Sequence, residues 1–418
     1  MKLEIQSISN LGHGVAFNNQ GKKIFVPKAV PGDIIDARTI QEKGKYCVAE
    51  IATIITPSKH RKIPECKYFS ICGGCLLQHL ENSFYIEFKQ KNIKESLARS
   101  GISVDKEVGF LDIGKEERRR IYLHVDKKNN LGLYKENSND LVAIDSCLVV
   151  TNKINSVISK LQNLLKLIPH GLIKDISICE FDNIIDIVLK LRNGVNITPL
   201  KSLLVEFSRE NRVNISYKNN KEIIDVNICR IPQLMIGEAL IDVSSEIFMQ
   251  ATKKGQDAII SIILDFIKTH NITKVVDLFS GVGTYSFAMS KIKNITHITA
   301  IEAISTMVDI IESNSKKVKL GNKVVAKIKD LHSNPIKLDE LNIYDLAIVN
   351  PPRNGAKAQI KQLIKSNIKN VIMVSCSANS FVQDSKILVE NGFKIENITL
   401  IDQFYYTSHI ELVAIFTK

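Results

Sequence analysis

The sequence lacks the long hydrophobic runs that membrane proteins need. Each apolar run, such as the one from Ile259 to Ile267, is interrupted by a charged or polar residue well before it could span a bilayer. An apolar leader is also lacking, because Glu4 stands where a signal peptide would be hydrophobic. We find no internal repeats or low-complexity tracts. These features argue against an integral membrane protein and against export, so we expect a cytoplasmic protein without a membrane partner.

The composition is typical of a globular protein with more than one domain. Hydrophobic residues make up 44% of the 418 residues and charged residues 24%, which excludes disorder as the main state. The net charge of +12 favours a polyanionic partner such as RNA or DNA. Only 11 of the 56 basic residues are arginine, so the lysine excess of an AT-rich genome is an alternative source of part of this charge.

The cysteines indicate a metal site. Three of them lie within ten residues in the segment PECKYFSICGGC. In a reducing compartment, such a group binds metal more often than it forms disulfides. The full set is Cys47, Cys66, Cys72, Cys75, Cys147, Cys179, Cys229 and Cys376.

The hydrophobic pattern divides the chain into three regions, and the predicted fold class is multidomain α/β. Residues 1–58 contain short alternating strands separated by turns, as in a small antiparallel barrel of the oligonucleotide-binding (OB) kind. Residues 59–246 combine the cysteine segment, an amphipathic helix over 84–99 and short strands, which predicts an irregular α+β domain. Residues 247–418 alternate strands and helices regularly, which predicts a doubly wound, Rossmann-like parallel sheet.

A nucleotide-like cofactor is predicted at the carboxyl edge of that sheet. The strand that ends at Phe279 runs into a glycine loop around Gly281 and then into a helix, so the backbone can approach a ligand closely. Glu302 ends the next strand, where an acid accepts hydrogen bonds from ribose hydroxyls, and Asp330 ends the third, near an adenine edge. Strand-end solubilising residues are the alternative. Ser286 replaces the third glycine of a phosphate-binding fingerprint, which favours S-adenosylmethionine over NAD.

Three more strand termini carry the predicted catalytic groups. Asn350, which we also count among the predicted cofactor-binding residues, precedes two prolines. Its amide can accept from uracil N3–H and donate to O4, although it could also serve an amino-bearing base. Cys376 follows the next strand; a buried strand cysteine is usually inert, but this position favours a nucleophile. Glu411 lies in the last apolar strand, where burial is expected to raise its pKa toward that of a useful base.

A thiol, a carboxylate and a methyl donor together fit the methylation of uracil carbon 5. A thiolate that adds to carbon 6 makes carbon 5 nucleophilic, and a base must then remove the carbon 5 proton. Methylation of an amino group needs neither a nucleophile nor this base. Cys376 and Glu411 therefore discriminate between the two reactions.

With these residues, the chain closely resembles the bacterial RNA uracil-5-methyltransferases, specifically the iron-sulfur branch that modifies 23S ribosomal RNA. The resemblance covers essentially the full length. Residues 1–58, with VPKAVPGDIIDA, are similar to the RNA-binding TRAM domain of that family. Cys66, Cys72, Cys75 and the distant Cys147 resemble its [4Fe-4S] motif. Without the resemblance, a zinc site with four cysteine ligands would be an equal alternative.

The resemblance also implies roles for individual residues. Gln250 is similar to the cofactor-contacting glutamine of the family's F-x-Q motif, and Phe248 is its aromatic neighbour. Gly281 matches the family's cofactor loop, and Glu302 matches the acid that binds the ribose. Cys376 and Glu411 match its nucleophile and its base, and His409 matches the histidine of its H-x-E motif. Arg118, Arg119, Arg120 and Tyr122 lie where the family has a basic-aromatic segment near the RNA, with a solvated surface as the alternative.

Three positions depart from the family pattern. Asn350 stands where the family usually has Asp, Thr252 replaces the Asn after F-x-Q, and Tyr405 replaces a Pro before the base. Asn350 can still hydrogen-bond uracil, but it cannot supply a negative charge.

We therefore predict a monomeric RNA methyltransferase that uses S-adenosylmethionine, carries a [4Fe-4S] cluster and methylates carbon 5 of a uridine in 23S rRNA. Transfer RNA is the less favoured substrate. Two alternatives remain: an amino-group methyltransferase built on Asn350-Pro351-Pro352, and an RNA-binding or ribosome-assembly factor that has lost catalysis through Asn350.

Overall fold

The computed structural model describes residues 1–104, 106–219, 222–245 and 247–418. Internal contacts divide the chain into two compact units. The first unit contains Met1–Ile93, Leu133–Ile144 and Phe404–His409, and the second contains Lys94–Gly132, Asp145–Gln403 and Ile410–Lys418.

The strands and helices are numbered in chain order. The strands are β1 Lys2–Glu4, β2 Ser7–Ile8, β3 Gly14–Phe17, β4 Lys23–Val26, β5 Ile34–Lys43, β6 Tyr46–Thr56, β7 Gly109–Leu111, β8 Arg120–Val125, β9 Leu131–Tyr134, β10 Leu141–Ala143, β11 Ile173–Glu180, β12 Ile185–Leu191, β13 Val213–Asn219, β14 Glu222–Asn227, β15 Gln233–Ile236, β16 Ala239–Asp242, β17 Lys274–Leu278, β18 His297–Glu302, β19 Val324–Ile328, β20 Leu346–Val349, β21 Asn370–Ser375, β22 Lys394–Ile401 and β23 Glu411–Thr417. The α-helices are α1 Asn82–Arg99, α2 Asn152–Leu167, α3 Lys201–Asn211, α4 Lys253–Thr269, α5 Thr284–Ser290, α6 Ser305–Lys317, α7 Leu338–Leu341, α8 Lys357–Leu363 and α9 Ala378–Glu390, and short 3₁₀ helices span Thr198–Leu200 and Gly321–Lys323.

The first unit is built on a six-stranded sheet with the order β1-β5-β6-β4-β3-β2. Alternate residues such as Ile24, Val26, Cys47 and Ala49 point into its apolar core, as the sequence pattern predicts. The prediction of an antiparallel arrangement was wrong for one pair, because β4 and β6 run parallel. The intervening β5 reverses the chain between them, so this pair is not a hairpin and can be parallel.

The cysteine segment of the first unit is a series of tight turns. The N–H of Phe69 donates to the carbonyl of Cys66, and the N–H of Cys72 donates to the carbonyl of Tyr68. The N–H groups of Leu76 and Leu77 both donate to the carbonyl of Tyr406, at 2.9 and 3.0 Å. The turns are therefore fixed by backbone bonds on both sides of Cys75.

The second unit contains two larger sheets. In the first of them, β8, β11, β12, β13 and β14 are neighbours in that order. The amphipathic helix α2 begins at the cap Thr151, whose side chain accepts from the N–H of Ile154 at 3.3 Å. Its buried stripe consists of Ile154, Val157, Ile158, Leu161, Leu164 and Leu165. The amphipathic helix predicted over 84–99 is confirmed as α1, Asn82–Arg99.

The other sheet is the predicted doubly wound one. Its eight strands have the order β19-β18-β17-β20-β21-β23-β22-β7. The strands from β19 to β21 are parallel, while β23 runs antiparallel to both of its neighbours. Their interiors are continuous apolar runs, as expected for strands covered on both faces. All carboxyl ends of the parallel strands therefore meet at one edge.

The last strand of this sheet, β7, comes from residues that the sequence assigned to the central region. Leu111 pairs with Ile401 of β22, in parallel. A strand of three residues is too short to be predicted from a hydrophobic pattern. The boundaries 1–58, 59–246 and 247–418 stay a prediction, and Glu246 lies outside the described residues. Among the helices that are described, we find none with the length and apolar character needed to cross a bilayer.

Candidate active site

The loop after β17 has the conformation of a ligand-binding turn. Phe279, Gly281 and Gly283 all have positive φ, at 61°, 55° and 80°. A Cβ atom on Gly283 would lie only 3.1 Å from Ile311 and would strain the packing below the loop. A phenylalanine in this conformation is held there by its surroundings, which is common where backbone contacts a ligand.

Glu302 is oriented by this loop and by its own neighbours. One carboxylate oxygen accepts from the N–H of Gly281 at 2.9 Å, and the other accepts from the N–H groups of Ala303 and Ile304 at 2.7 and 3.0 Å. A carboxylate has about four acceptor positions, so Glu302 retains capacity for a ligand hydroxyl. The structure thus brings Gly281 and Glu302 together as the sequence predicted.

Below the loop lies Asp277, a fully buried acid for which the sequence suggested no role. Burial raises its pKa to about 7, the hydroxyl of Ser286 lowers it by donating at 2.7 Å, and the charge of Glu302 raises it. Ser286, the residue in place of a third glycine, therefore anchors the buried acid beneath the turn.

Asp330 lies two residues beyond the end of β19, so the prediction that it ends the strand was wrong. Its side chain is exposed and caps a turn, accepting from the hydroxyl of Ser333 at 2.7 Å and the N–H of His332 at 3.0 Å. The Ser333 hydrogen bond is the main reason why its pKa is lowered. The ring of His332 lies 5.3 Å from that of Phe279, so an acid and two rings border this part of the edge.

Asn350 and Cys376 follow neighbouring parallel strands, as predicted. The backbone N–H of Asn350 donates to the carbonyl of Leu278 at 3.2 Å, which ties it to the end of β17. Burial and the charge of Glu411 raise the pKa of the Cys376 thiol, whereas the guanidinium of Arg353 lowers it. Arg353 directly follows the two prolines, and no sequence pattern indicated a role for it.

Glu411 is buried at the first position of β23. Burial raises its pKa to about 7, and a hydrogen bond from Gln403 partly offsets this effect. Ser375 is paired with Leu412 across β21 and β23, so the next residues along the two strands are Cys376 and Glu411. The expected perturbed carboxyl is therefore present beside the expected thiol.

Gln250 is buried next to this pair and its amide is engaged at both ends. Its Nε2 donates to the hydroxyl of Tyr285 at 3.1 Å, and its Oε1 accepts from Nε2 of Gln403 at 2.7 Å. Gln403 in turn donates to Glu411 at 2.8 Å. Sequence reasoning missed Tyr285 and Gln403, since neither stands at a strand end or in a charged motif.

Arg119 is buried, so it fits neither the predicted basic-aromatic segment near RNA nor the alternative of a solvated surface. Its Nε donates to the carbonyl of Gln250 at 3.1 Å, and its Nη2 donates to Gln256 at 2.7 Å. It supports the segment that carries Gln250. Tyr122 is 45% exposed, so the segment presents only part of its side chains to solvent.

The predicted metal ligands are distributed over both units. In the first unit, the N–H of Gly74 points to Sγ of Cys72 at 3.3 Å, and Gln78 accepts from the N–H of Cys66 at 3.2 Å. In the second unit, the N–H of Cys147 donates to Asn155 at 2.8 Å. Across the described residues, no group of three or more His, Cys, Asp or Glu side chains is arranged to hold a metal ion.

The comparisons with known proteins agree with this site. Residues 116–418, more than half of the chain, match the family described as tRNA (uracil-5-)-methyltransferase. A 23S rRNA (uracil(1939)-C(5))-methyltransferase RlmD of Shewanella sp. strain MR-7 is 28% identical over 99% of this chain and 94% of its own length. An uncharacterized RNA methyltransferase of Caulobacter vibrioides is 26% identical over 100% of this chain and 99% of its own length.

A solved structure has the same fold. The Pyrococcus abyssi tRNA (uracil-54, C5)-methyltransferase in complex with S-adenosyl-L-homocysteine superimposes with a TM-score of 0.75 at 21% identity, over 100% of both chains. This likeness shows that the two chains share their fold. Together with the family match, it identifies the chain as a member of the tRNA (uracil-5-)-methyltransferase family, an RNA uracil-5-methyltransferase that uses S-adenosylmethionine.

Proposed function

We propose that the protein methylates carbon 5 of a uridine in 23S rRNA, with Cys376 as nucleophile and Glu411 as base. The observation that carries this proposal is the register of β21 and β23, in which Cys376 and Glu411 follow the paired residues Ser375 and Leu412. A thiol and a carboxyl with a raised pKa at one sheet edge supply the two groups that carbon 5 methylation requires.

Each group has one defined task. The Cys376 thiolate adds to carbon 6, and the electrons of the carbon 5–carbon 6 double bond move to carbon 5 and the O4 enolate. S-Adenosylmethionine would supply the methyl group from its positively charged sulfur: the sulfur–methyl bond breaks as the carbon 5–methyl bond forms, and neutral S-adenosylhomocysteine leaves. Glu411 then takes the carbon 5 proton, the electrons of that bond re-form the double bond, and the bond between Sγ and carbon 6 breaks to release the thiolate.

The ionisation of the two groups suits this order of events. A pKa of about 7 keeps much of Glu411 as carboxylate near neutral pH, yet makes it basic enough to take a proton. The thiolate is disfavoured by burial and by a charged Glu411, and Arg353 opposes both effects. Arg353 is therefore proposed to stabilise the Cys376 thiolate.

The cofactor residues are proposed at the adjacent strand ends. Glu302 would accept from the ribose hydroxyls, with Gly281 giving close backbone approach. Phe279 and Asp330 border the space for the adenine, as does His332. The Nε2 of Gln250 carries two hydrogens and donates one of them to the hydroxyl of Tyr285. The other hydrogen is proposed to contact the cofactor side of the site. Asn350 is proposed to read the uracil edge.

The choice of 23S rRNA rests on the relatives. The RlmD enzyme of Shewanella and a second one from Vibrio campbellii, which is 24% identical over 100% of this chain, bear that substrate in their names. The family description and the Pyrococcus enzyme name tRNA. The net charge of +12 suits either polyanion.

We propose that residues 1–58 form a TRAM-like RNA-binding domain. A groove of about 1430 Å³ in the first unit is lined by cationic and aromatic side chains. Lys23 lies over the ring of Phe25 at 5.1 Å, and Phe25 meets Tyr46 edge to face at 5.5 Å. Lysines beside half-buried rings in a groove favour a single-stranded RNA, because bases stack on the rings and the lysines neutralise phosphates.

We propose that Cys66, Cys72, Cys75 and Cys147 hold a [4Fe-4S] cluster. One feature of the first unit supports this proposal: Gly73 has no room for a Cβ, which would lie 2.7 Å from the backbone of Glu136, so the turn beside the thiols is tight. The N–H of Gly74 already points to a ligand sulfur. Cys147 is assigned from the sequence motif alone. Methyl transfer requires no electron, so the cluster would have no redox role in the reaction. When bound, it would instead have the structural role of ordering the loop.

Transfer of tritiated methyl from S-adenosylmethionine tests the proposed function. Unmodified 23S rRNA and unmodified tRNA serve as parallel substrates, and mass mapping locates the product. We expect 5-methyluridine in 23S rRNA. A product in tRNA alone would overturn the substrate, and a methylated amino group would overturn the reaction.

A further inference from the structure

We call the sheet edge that carries Asn350, Cys376 and Glu411 the catalytic edge. It contains a buried glutamine that has no part in the reaction steps proposed for these residues. Gln403 lies two residues after β22 and is only 2% exposed. Its Nε2 donates to Oε2 of Glu411 at 2.8 Å and to Oε1 of Gln250 at 2.7 Å. We propose that Gln403 is a positioning residue that holds the base Glu411 in place and couples it to Gln250. This inference rests on the proposed function.

The orientation of the Gln403 amide is determined by its partners. Its nitrogen carries two hydrogens, and the two acceptor oxygens use both of them. The ionised Glu411 carboxylate can only accept, so Gln403 must present its nitrogen to it. Gln250 must then present its oxygen to that nitrogen, which leaves its own nitrogen to donate to the hydroxyl of Tyr285 at 3.1 Å. The hydrogen bonds therefore run in one direction, from Gln403 to Gln250 and from Gln250 to Tyr285. A reversed Gln403 would present an oxygen to the carboxylate.

The packing around Gln403 also fits this single placement. A Cβ atom on Gly255 would lie 2.9 Å from Oε1 of Gln403 and 3.2 Å from its Cβ. Glycine at this position in the first turn of α4 leaves just enough space for the side chain. The turn is fixed by Thr252, whose hydroxyl accepts from the N–H of Gly255 at 3.0 Å.

The consequence for the reaction is specific to one step. A buried carboxylate that receives a hydrogen bond is stabilised in its ionised, proton-accepting form. Without Gln403, Glu411 would be both less ionised and free to turn away. Thiolate addition and methyl transfer would continue, whereas removal of the carbon 5 proton would slow. A methylated covalent complex between enzyme and RNA would therefore accumulate.

The experiment compares Gln403→Met with Gln359→Met. Gln359 is also fully buried, but among the described residues its side chain bonds to the backbone of Ile336 alone, at 2.7 and 3.3 Å. The readouts are the pH profile of single-turnover product release and the fraction of RNA bound covalently on a denaturing gel. For Gln403→Met we expect the rising limb of the pH–rate profile to shift by about one unit to higher pH, and the covalent enzyme–RNA complex to accumulate. For Gln359→Met we expect neither change.

A second variant covers the case in which Gln403→Met does not fold. Gln403→Glu keeps the size of the side chain and places a second carboxyl beside Glu411, so the rising limb should shift further upward. A folded Gln403 variant with an unshifted limb and no complex would overturn the inference, as would the same shift in Gln359→Met. If the wild-type enzyme makes no 5-methyluridine, the proposed function fails instead.

Discussion

The catalytic edge of the second unit and the cysteine segment of the first unit are organised in different ways. At the catalytic edge, parallel strands end side by side, and hydrogen bonds between Gln250, Gln403 and Glu411 orient the side chains. In the cysteine segment, backbone bonds fix the turns, and the N–H of Gly74 donates to the sulfur of Cys72, one of the proposed ligands. A sheet positions catalytic groups by itself, whereas a thiol site depends on its metal for its final geometry.

This difference predicts that variants of the two regions fail in different assays. Changes at the catalytic edge should affect the chemical step and leave metal content intact. Changes in the cysteine segment should remove metal and weaken RNA binding, with less effect on the chemical step at saturating RNA.

The largest effect is expected for Cys376→Ala. Without the nucleophile, carbon 5 of uracil is not activated, so single-turnover methyl transfer should fall below detection. Iron content and RNA affinity should match those of the wild type. Cys229→Ala is the matched control, since this exposed thiol is remote in sequence from every predicted site and should leave the rate unchanged. Measurable transfer by Cys376→Ala would remove the thiol from the mechanism.

A smaller loss is expected for Asn350→Leu. The side chain would no longer bond the uracil edge, which should lower kcat/KM by roughly tenfold to a hundredfold. Asn350→Asp can still accept from N3–H and should stay within a few-fold of the wild type. Steady-state kinetics on 23S rRNA measure both. If Asn350→Leu equals the wild type, Asn350 does not read the base.

Cys72→Ser should remove the cluster and lower the affinity for RNA several-fold, because the loop loses its metal crosslink. Iron and zinc analysis, visible absorbance and RNA titration report the two effects separately. Cys47→Ala, a buried cysteine of the sheet core, is the control and should keep its metal. Zinc in place of iron in the purified wild-type protein would contradict the proposal of a [4Fe-4S] cluster. A metal-free variant with unchanged RNA affinity would contradict a role of the metal site in RNA binding.

The smallest effect is the pH dependence of the wild-type enzyme. The pKa of Glu411 is raised to about 7, and only the carboxylate can take the carbon 5 proton. Ionisation of Glu411 alone should therefore raise the rate by about fivefold between pH 6 and pH 7. The pKa of the Cys376 thiol is also raised, so the thiolate fraction keeps increasing with pH and the rate should go on rising above pH 8. A rate that is flat or falls across this range would contradict the assignment of the base.

The sequence predicts those parts of the site that depend on strand order. Glu302, Asn350 and Cys376 each end or follow a parallel strand, and such ends meet at one edge whatever the details of packing. Glu411 could be found because a charge beside apolar residues is costly unless it is used. The pattern of strands and helices was sufficient to predict the Rossmann-like sheet.

Contacts between side chains distant in sequence could not be predicted. Gln403 is 153 residues from Gln250, and an uncharged amide gives no signal of its own. Arg119 has the appearance of a surface charge, yet it is buried because it supports the carbonyl of Gln250. Strand β7 is too short to show a pattern, and it exists because β22 offers it a pairing edge.

The measurement that tests the central claim most directly uses Glu411→Gln with unmodified 23S rRNA. The amide keeps the size of the side chain but cannot remove the carbon 5 proton. We predict that one turnover yields an enzyme–RNA complex, covalently joined through Cys376 and heavier by one methyl group, which intact mass spectrometry detects. Release of free 5-methyluridine RNA at the wild-type rate, without such a complex, would contradict the account.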